Sequence, residues 1–232
     1  MIHRLVLWDI DGTLVSTGPV GRQALEAGAA EVAGMATVPH ISMGGKTDPQ
    51  IVGEILAAGG LPPDRAARLV PAALAVAERR LAEWRGRIAE EGFAQPGVRD
   101  LLEALAGTDG VRQALLTGNV EPNAFVKVDV FGLAGFFDFA VGAYGSDHAD
   151  RDRLVPIALD RVARLRRDRF APSEAWVIGD TANDLRCARA GGAHCLLVGT
   201  GREGIGALDG LDPDRLVPDL ADTGSVLATL LA

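Results

Sequence analysis

The sequence has few cysteines and almost no lysine. Its two cysteines, Cys187 and Cys195, are too few for a disulfide-rich fold, and they form no Cys-x-x-Cys pair. We therefore expect two buried thiols in a reducing compartment rather than a disulfide. Lysine occurs only at Lys46 and Lys127, so arginine supplies nearly all of the 23 basic residues, and we attribute this to compositional bias.

Long hydrophobic runs and an excess of positive charge are also missing. No apolar run approaches the roughly 18 residues that span a bilayer. No basic-then-apolar leader precedes the first apolar segment, so we expect a cytoplasmic protein with no membrane partner. Acidic residues outnumber basic ones by 31 to 23, which argues against nucleic acid as the main partner. An anionic small molecule remains compatible, because local charge at a site can oppose the net charge.

Apolar segments of strand length alternate with amphipathic helical segments, which predicts an α/β fold with a doubly wound parallel sheet. The first predicted strand begins at Leu5 and ends at Asp9. Further strands are predicted at 111–116, 139–141, 175–180, 194–198 and 216–217. Helices are predicted at 97–107, 121–131, 154–167, 182–190 and 223–231.

A helical block separates the first and second strands. It predicts helices at 20–34, 47–58 and 63–91, with Pro71 interrupting the early part of the last one. An insertion here stands over the crevice beyond the carboxyl ends of the strands, where open α/β sheets bind ligands. We therefore predict a core domain of residues 1–14 and 95–232 and an all-α cap domain of residues 15–94. The alternative is a helical appendage that serves stability only.

The segment Asp9-Ile10-Asp11-Gly12-Thr13 ends the first predicted strand with two carboxylates one residue apart. Side chains alternate along a strand, so Asp9 and Asp11 would point the same way if the strand continued. Like charges this close repel each other unless a cation compensates. An ordinary Asx-Gly turn explains Asp11 and Gly12 but leaves Asp9 unexplained.

Two more strand ends carry polar groups. Thr117-Gly118-Asn119 offers a hydroxyl and backbone amides near a helix start, which suits a phosphate, although it is also an ordinary turn. Asp180 ends another strand, and Asp184 follows one helical turn later, so both carboxylates can face the same crevice. Asp9, Asp11, Asp180 and Asp184 together predict a metal site. Their oxygen-only donor set points to Mg²⁺ rather than zinc.

A fixed positive group should balance the phosphoryl oxygens of a phosphorylated ligand. Arg151 and Arg153, just before a predicted helix, are the candidates. Alternatively, one or both of these arginines could be exposed to solvent at the start of that helix. We expect one of the two to reach the site.

Lys46 lies in the loop Gly44-Gly45-Lys46-Thr47, which ends at a predicted helix start. Gly-Lys-Thr also ends a nucleotide-binding P-loop, but the earlier glycine and the preceding strand of that motif are missing here. We interpret Lys46 as a residue of a substrate-contacting turn.

These motifs, taken together, resemble the haloacid dehalogenase-like (HAD) hydrolase superfamily. The first motif matches Asp9 to Thr13, the second matches Thr117, and the fourth matches Gly179 to Asp184. The helical insert after the first motif resembles the branch of phosphoglycolate phosphatase and β-phosphoglucomutase. One departure concerns the third motif, where Arg151 or Arg153 stands in place of the usual lysine.

The resemblance implies a Mg²⁺-dependent phosphatase with a Rossmann-like core. Asp9 would be the nucleophile that forms an aspartyl-phosphate, and Asp11 would be the acid and base. Mg²⁺ would be held by the Asp9 carboxylate, the Asp11 backbone carbonyl and Asp180, with Asp184 as an indirect or water-mediated partner. The residues implied to bind substrate are Thr117, Gly118, Asn119, Arg151 or Arg153, and Lys46, with the Ile10 amide.

The expected partner is a small phosphorylated metabolite, and the chain is expected to be a monomer or a homodimer. A phosphoglucomutase-like enzyme needs further sugar-binding groups in the cap. A phosphonate-cleaving enzyme needs a cap lysine that forms a Schiff base, for which Lys46 is the only candidate. A non-catalytic binder of phosphate ligands on the same fold is the remaining alternative.

Overall fold

The computed structural model describes residues 3–202 and 204–232. The strands in these residues are β1 (Arg4–Trp8), β2 (Val15–Ser16), β3 (Phe93–Ala94), β4 (Val111–Thr117), β5 (Ala143–Tyr144), β6 (Ala175–Gly179), β7 (His194–Val198) and β8 (Arg215–Val217). The α-helices are α1 (Val20–Ala33), α2 (Asp48–Ala58), α3 (Pro63–Glu83), α4 (Arg85–Glu91), α5 (Val98–Ala106), α6 (Glu121–Val130), α7 (Leu154–Arg166), α8 (Ala182–Gly191) and α9 (Thr223–Leu231).

Six strands form one sheet in the order β5-β4-β1-β6-β7-β8, and all neighbouring pairs run parallel. A parallel sheet is stable when helices cover both of its faces. Here α5, α6 and α9 pack against one face, and α7 and α8 pack against the other. The predicted doubly wound α/β fold is confirmed.

The apolar run of β1 explains why this strand lies in the middle of the sheet. Val6 and Trp8 belong to the hydrophobic core on one face, while Leu5 and Leu7 belong to the core on the other. Because successive side chains of a strand point to opposite faces, only a continuous apolar run can bury both. The central position of β1 brings Asp9, the next residue, to the middle of the crevice at the carboxyl ends of the strands.

The helices α1 to α4 form a helical insert between β2 and β3. These two short strands pair antiparallel, with Val15 opposite Ala94 and Ser16 opposite Phe93, so the outgoing and returning chain segments lie side by side. The first three helices share a hydrophobic core of their own, which includes Leu25. In residues 3–202 and 204–232, no helix is both long and apolar enough to cross a membrane. The division into core and cap domains stays a prediction.

The predicted strand at 139–141 is wrong. These residues form a 3₁₀ turn, and the strand β5 begins two residues later, where Ala143 pairs with Leu116. The apolar run predicts a strand, but these residues pack with a backbone that is not extended. The Phe139 ring lies 5.4 Å from the Phe125 ring. Hydrophobicity over three residues does not distinguish a buried turn from a buried strand.

The predicted helix at 63–91 is two helices, because the chain leaves helical geometry at Trp84 (φ −93°, ψ 16°). The interruption expected at Pro71 is absent, since α3 continues through it. Proline removes the hydrogen bond to the carbonyl four residues earlier. Pro71 and Ala67 are both exposed, so water can satisfy that carbonyl.

Two helical glycines of the insert are expected to respond oppositely to alanine. A Cβ at Gly28 on α1 would clash with the Ala73 carbonyl oxygen of α3, whereas a Cβ at Gly53 on α2 would make an ordinary contact 3.9 Å from Val70. We expect Gly28→Ala to destabilise the protein by about 1–3 kcal/mol through overpacking. Gly53→Ala should be neutral or stabilise by up to about 1 kcal/mol, because alanine favours helix. Urea unfolding of both variants measures this, and equal effects would contradict the close α1–α3 approach.

Candidate active site

The loop after β1 carries Asp9 and Asp11. Asp9 is 5% exposed, and its backbone N–H donates to the Ile178 carbonyl at 2.9 Å, which joins the end of β1 to β6. The chain then turns at Gly12, whose φ of +88° lies in the left-handed region that favours glycine. A Cβ at Gly12 would clash with the Asp180 carboxylate. Glycine therefore permits both the turn and the close approach of this loop to Asp180.

Three carboxylates meet beyond the ends of β1 and β6. One oxygen each from Asp9, Asp180 and Asp184 lie within 4.8 Å of one another. Arg151 is 3% exposed and contacts this cluster, at 3.2 Å from Asp9 Oδ1 and also at the Asp184 carboxylate. The side chain of Asp11, the fourth predicted metal ligand, is not part of the cluster.

The electrostatics of the cluster are those of buried, crowded carboxylates. Burial raises the pKa of Asp9 to about 6, against the opposing effect of Arg151. Burial, followed by the charges of Asp184 and Asp9, raises the pKa of Asp180 well above its ordinary value. Burial disfavours the Arg151 cation, but Asp184 and Asp9 outweigh it and raise its pKa. Three carboxylates against one guanidinium leave negative charge uncompensated, and this oxygen-only donor set fits a hard divalent cation such as Mg²⁺.

Asp184 is held by the first turn of α8. Its Oδ2 accepts hydrogen bonds from the Thr181 backbone N–H at 3.0 Å and from Thr181 Oγ1 at 2.6 Å. A carboxylate in this position stabilises the helix start by bonding a free N–H group and by facing the positive end of the helix dipole. The local sequence thus fixes the Asp184 carboxylate beside Arg151 with no help from a ligand.

The loop after β4 contributes the predicted phosphate-binding residues. Thr117 is fully buried, and its Oγ1 accepts from Asn119 Nδ2 at 2.8 Å. Asn119 Nδ2 also donates to Asp11 Oδ2 at 2.8 Å, so this loop and the loop after β1 are joined directly. Thr117, Gly118 and Asn119 all line the same cavity as Asp9.

Lys127 is a site residue that our sequence interpretation missed. It lies on α6, and its Nζ donates to Asp11 Oδ2 and to Asn119 Oδ1, both at 2.6 Å. No motif marks its position. The sequence feature that could have pointed to Lys127 is the rarity of lysine in this arginine-rich chain, because its only two lysines both line the cavity.

The loop that precedes α2 brings the helical insert onto the core. The Asp48 N–H donates to the Gly118 carbonyl at 2.7 Å, and Asp48 Oδ2 accepts from the Val120 N–H at 3.0 Å. Thr47 Oγ1 donates to the Ala149 carbonyl at 2.7 Å. In the same loop, Lys46 lines the cavity and pairs with Glu54 of α2 at 2.5 Å.

A cavity of about 1050 Å³ lies between the strand ends and the insert. The predicted site residues that line it are Asp9, Asp11, Lys46, Thr117, Gly118, Asn119, Arg151 and Asp180. Asp184 is fully buried behind this lining, whereas Arg153 is exposed and does not line the cavity. Besides Lys127, the cavity is lined by three more basic residues that our interpretation did not select, namely Arg22, His40 and Arg202.

This geometry agrees with a comparison against known families. The family model of haloacid dehalogenase-like hydrolases matches residues 3–192. The chain belongs to this family. The haloacid dehalogenase-like resemblance inferred from the motifs is confirmed, and the protein is an enzyme, a hydrolase of the phosphatase type.

Its relatives within the haloacid dehalogenase-like hydrolases include phosphoglycolate phosphatases. The enzyme of that name from Pseudomonas putida is 30% identical, over 100% of this chain and 85% of its own length. The one from Nitrosospira multiformis is 28% identical, with 97% and 95% covered. CbbY from Rhodobacter sphaeroides, solved with phosphate, has the same fold, with a TM-score of 0.65 at 23% identity and 97% of each chain covered. A hydrolase from Pseudomonas syringae gives 0.66 at 20% identity, covering 99% of this chain and 100% of its own.

Arg151 and Arg153 form a matched pair for testing the electrostatic role of the buried cation. Removing one partner of a buried ion pair leaves uncompensated charge and costs about 3–5 kcal/mol. We expect Arg151→Ala to destabilise the metal-free protein by that amount at pH 7.5. The exposed Arg153→Ala should change stability by no more than about 0.5 kcal/mol. Urea unfolding in EDTA measures both, and similar losses in the two variants would refute the special position of Arg151.

Asp48 makes stability depend on pH. Burial raises its pKa to about 6 from 3.8, so between these pH values the folded protein holds a proton that the unfolded chain has released. The contribution of Asp48 to stability is therefore full below pH 4 and is lost as pH rises through 6. One pKa unit corresponds to about 1.4 kcal/mol, so the loss should approach about 3 kcal/mol.

Asp48→Asn removes this titration. Because the other groups cancel in the comparison, the stability of the variant relative to wild type should rise by about 2–3 kcal/mol between pH 4 and pH 7.5. Denaturant unfolding of both proteins at the two pH values provides the measurement. A pH-independent difference would mean that Asp48 has an ordinary pKa.

Proposed function

We propose that this enzyme is a Mg²⁺-dependent phosphatase that hydrolyses a small phosphomonoester through an aspartyl-phosphate on Asp9. The observation that carries the proposal is the buried cluster of Asp9, Asp180 and Asp184 around Arg151, at the floor of a cavity that Asp11 also lines. Such a site pairs a fixed carboxylate nucleophile with positive charge for phosphoryl oxygens.

The residues present fit Mg²⁺. The carboxylates of Asp9 and Asp180 would hold it together with the Asp11 backbone carbonyl, and Asp184 would act through a water molecule. When bound, the ion supplies positive charge that offsets the phosphate oxygens. Burial, with repulsion from neighbouring carboxylates, raises the pKa values of Asp9 and Asp180, and a bound cation would stabilise their charged forms.

The chemistry proceeds in two steps. The Asp9 carboxylate attacks phosphorus, the bond to the leaving alkoxide breaks, and Asp11 donates a proton to that alkoxide. Asp11 then takes a proton from water, which attacks the phosphorus of the phosphorylated Asp9. Inorganic phosphate leaves and the Asp9 carboxylate is regenerated.

The phosphoryl oxygens would be bound by Thr117, the backbone amides of Ile10 and Gly118, Asn119 and Arg151. Arg151 lines the cavity, and its Nε has no hydrogen-bond partner among the described residues, so the guanidinium keeps an unused donor beside the acidic cluster. The exposure of Arg153 favours Arg151 over its neighbour in this role.

The substrate is proposed to be a small phosphorylated metabolite of the type that the phosphoglycolate phosphatases act on. Lys46 would contact its leaving group from the insert side of the cavity. The Lys46 Nζ is engaged by the Glu54 carboxylate at 2.5 Å, which argues against a Schiff-base role in phosphonate cleavage. We propose the cytoplasm as its compartment, since Cys187 and Cys195 are free, buried thiols.

Phosphate release from 2-phosphoglycolate and p-nitrophenyl phosphate, with Mg²⁺ and with EDTA, tests the proposal. We expect turnover with Mg²⁺ only. Asp9→Asn should lower kcat at least about 1,000-fold while substrate binding changes little, because the amide cannot act as the nucleophile. Turnover by Asp9→Asn near the wild-type rate would exclude the aspartyl-phosphate. A folded wild type that binds phosphate without turnover would favour the non-catalytic alternative.

A further inference from the structure

Among residues 3–202 and 204–232, Lys127 is the one basic residue that bonds the Asp11 side chain. It is 6% exposed, and its Nζ lies 2.6 Å from Asp11 Oδ2 and 2.6 Å from Asn119 Oδ1. It stands two turns into α6, between Ala124 and Val128, which are fully buried in the core. The ammonium group is therefore fixed by the packing of its helix rather than by solvent-exposed contacts.

The contacts to Asp11 are concentrated on one of its two oxygens. Lys127 Nζ and Asn119 Nδ2 both donate to Oδ2, at 2.6 and 2.8 Å. Asn119 Nδ2 also donates to Thr117 Oγ1, so the hydrogen bonds that hold Oδ2 connect it to the end of β4. The Asp11 side chain is nevertheless 43% exposed and lines the cavity. This arrangement leaves the other oxygen, Oδ1, for a group in the cavity.

The choice of lysine at this position is informative in a chain that otherwise uses arginine. A lysine ammonium is a compact charge that can donate to two nearby acceptors, whereas a guanidinium is a larger planar group. Two acceptor oxygens at 2.6 Å around one buried Nζ fit the ammonium. The geometry of its pocket therefore explains why position 127 is a lysine, and compositional bias does not.

We propose that Lys127 is a positioning residue that holds Oδ2 of Asp11, so that Oδ1 faces the leaving group of the substrate. The inference rests on the proposed phosphatase function. An alkoxide leaving group needs a proton as it departs, whereas p-nitrophenolate leaves readily without one. Loss of Lys127 should consequently lower the rate of phosphoryl transfer to Asp9, which kcat/KM reports, far more for alkyl phosphates than for this aryl phosphate.

The test compares kcat and KM for 2-phosphoglycolate and p-nitrophenyl phosphate in wild type, Lys127→Ala and Lys127→Met. General acid catalysis typically contributes a factor of about 100 to 10,000. We expect kcat/KM for 2-phosphoglycolate, which reports the steps up to phosphoryl transfer to Asp9, to fall about 100-fold in both variants. For p-nitrophenyl phosphate, kcat/KM should fall no more than about threefold, whereas kcat also contains the hydrolysis step that Asp11 serves for both substrates. Methionine keeps an unbranched apolar chain as long as the lysine stem up to Cε, so it separates loss of the ammonium from loss of packing.

The other lysine gives a matched comparison, and an added amine gives a rescue. Lys46→Ala should act mainly on KM for 2-phosphoglycolate, because Lys46 makes no contact with Asp11 in the described structure. Propylammonium should restore 2-phosphoglycolate hydrolysis by Lys127→Ala at least about tenfold, since it replaces the missing atoms in a pocket that opens on the cavity. It should not stimulate Lys127→Met.

Equal losses of kcat/KM on both substrates would overturn the inference and assign Lys127 a structural role. A rise in KM for both substrates with unchanged kcat would also overturn it and indicate direct phosphate binding. These outcomes leave the phosphatase proposal intact, because they require an active wild type. A wild type inactive on both substrates would overturn the proposed function and this inference together.

Discussion

The burial of three carboxylates around a single guanidinium is the constraint on which the rest of the site depends. Asp9, Asp180 and Asp184 come from two neighbouring strand ends and one helix start, so the fold itself brings them together. Carboxylates crowded in this way are stable only with positive charge beside them. Arg151 supplies part of that positive charge in the protein. A divalent cation, together with the substrate-binding groups, would supply the rest.

The position of β1 explains how so much charge can be assembled at one place. Its apolar run buries both faces of the sheet, so the chain leaves the core at Asp9 with β4 on one side and β6 on the other. The three loops that follow these strands then converge on one crevice, as expected for parallel sheets. A shift of β1 toward an edge would separate the loops that carry Asp9, Thr117 and Asp180.

Local sequence patterns predicted most of the fold and much of this site. Apolar strands, their polar ends and the one-turn spacing of Asp180 and Asp184 are short-range signals, and they placed the parallel sheet and the acidic residues. The turn at 139–141 and the break at Trp84 were missed, because tertiary packing decides both. Short apolar runs have no period of their own.

The residues missed in the site have a different cause. Lys127 reaches Asp11 across 116 positions of sequence, and Asp48 reaches the loop after β4 across 72. Neither lies in a motif, so only the folded chain brings them to their partners. The choice between Arg151 and Arg153 was likewise undecidable from two neighbouring arginines, because it depends on which one the 3₁₀ turn directs inward.

The pairing of β2 with β3 has a mechanical consequence for the helical insert. The two chain segments that connect it to the sheet are hydrogen-bonded to each other, with Val15 opposite Ala94 and Ser16 opposite Phe93. A rotation of the four helices relative to the sheet must therefore bend both connections together, because the two segments form one hinge. The turn at Gly12 belongs to the same hydrogen-bonded unit, because the Gly12 N–H donates to the Val15 carbonyl at 2.9 Å.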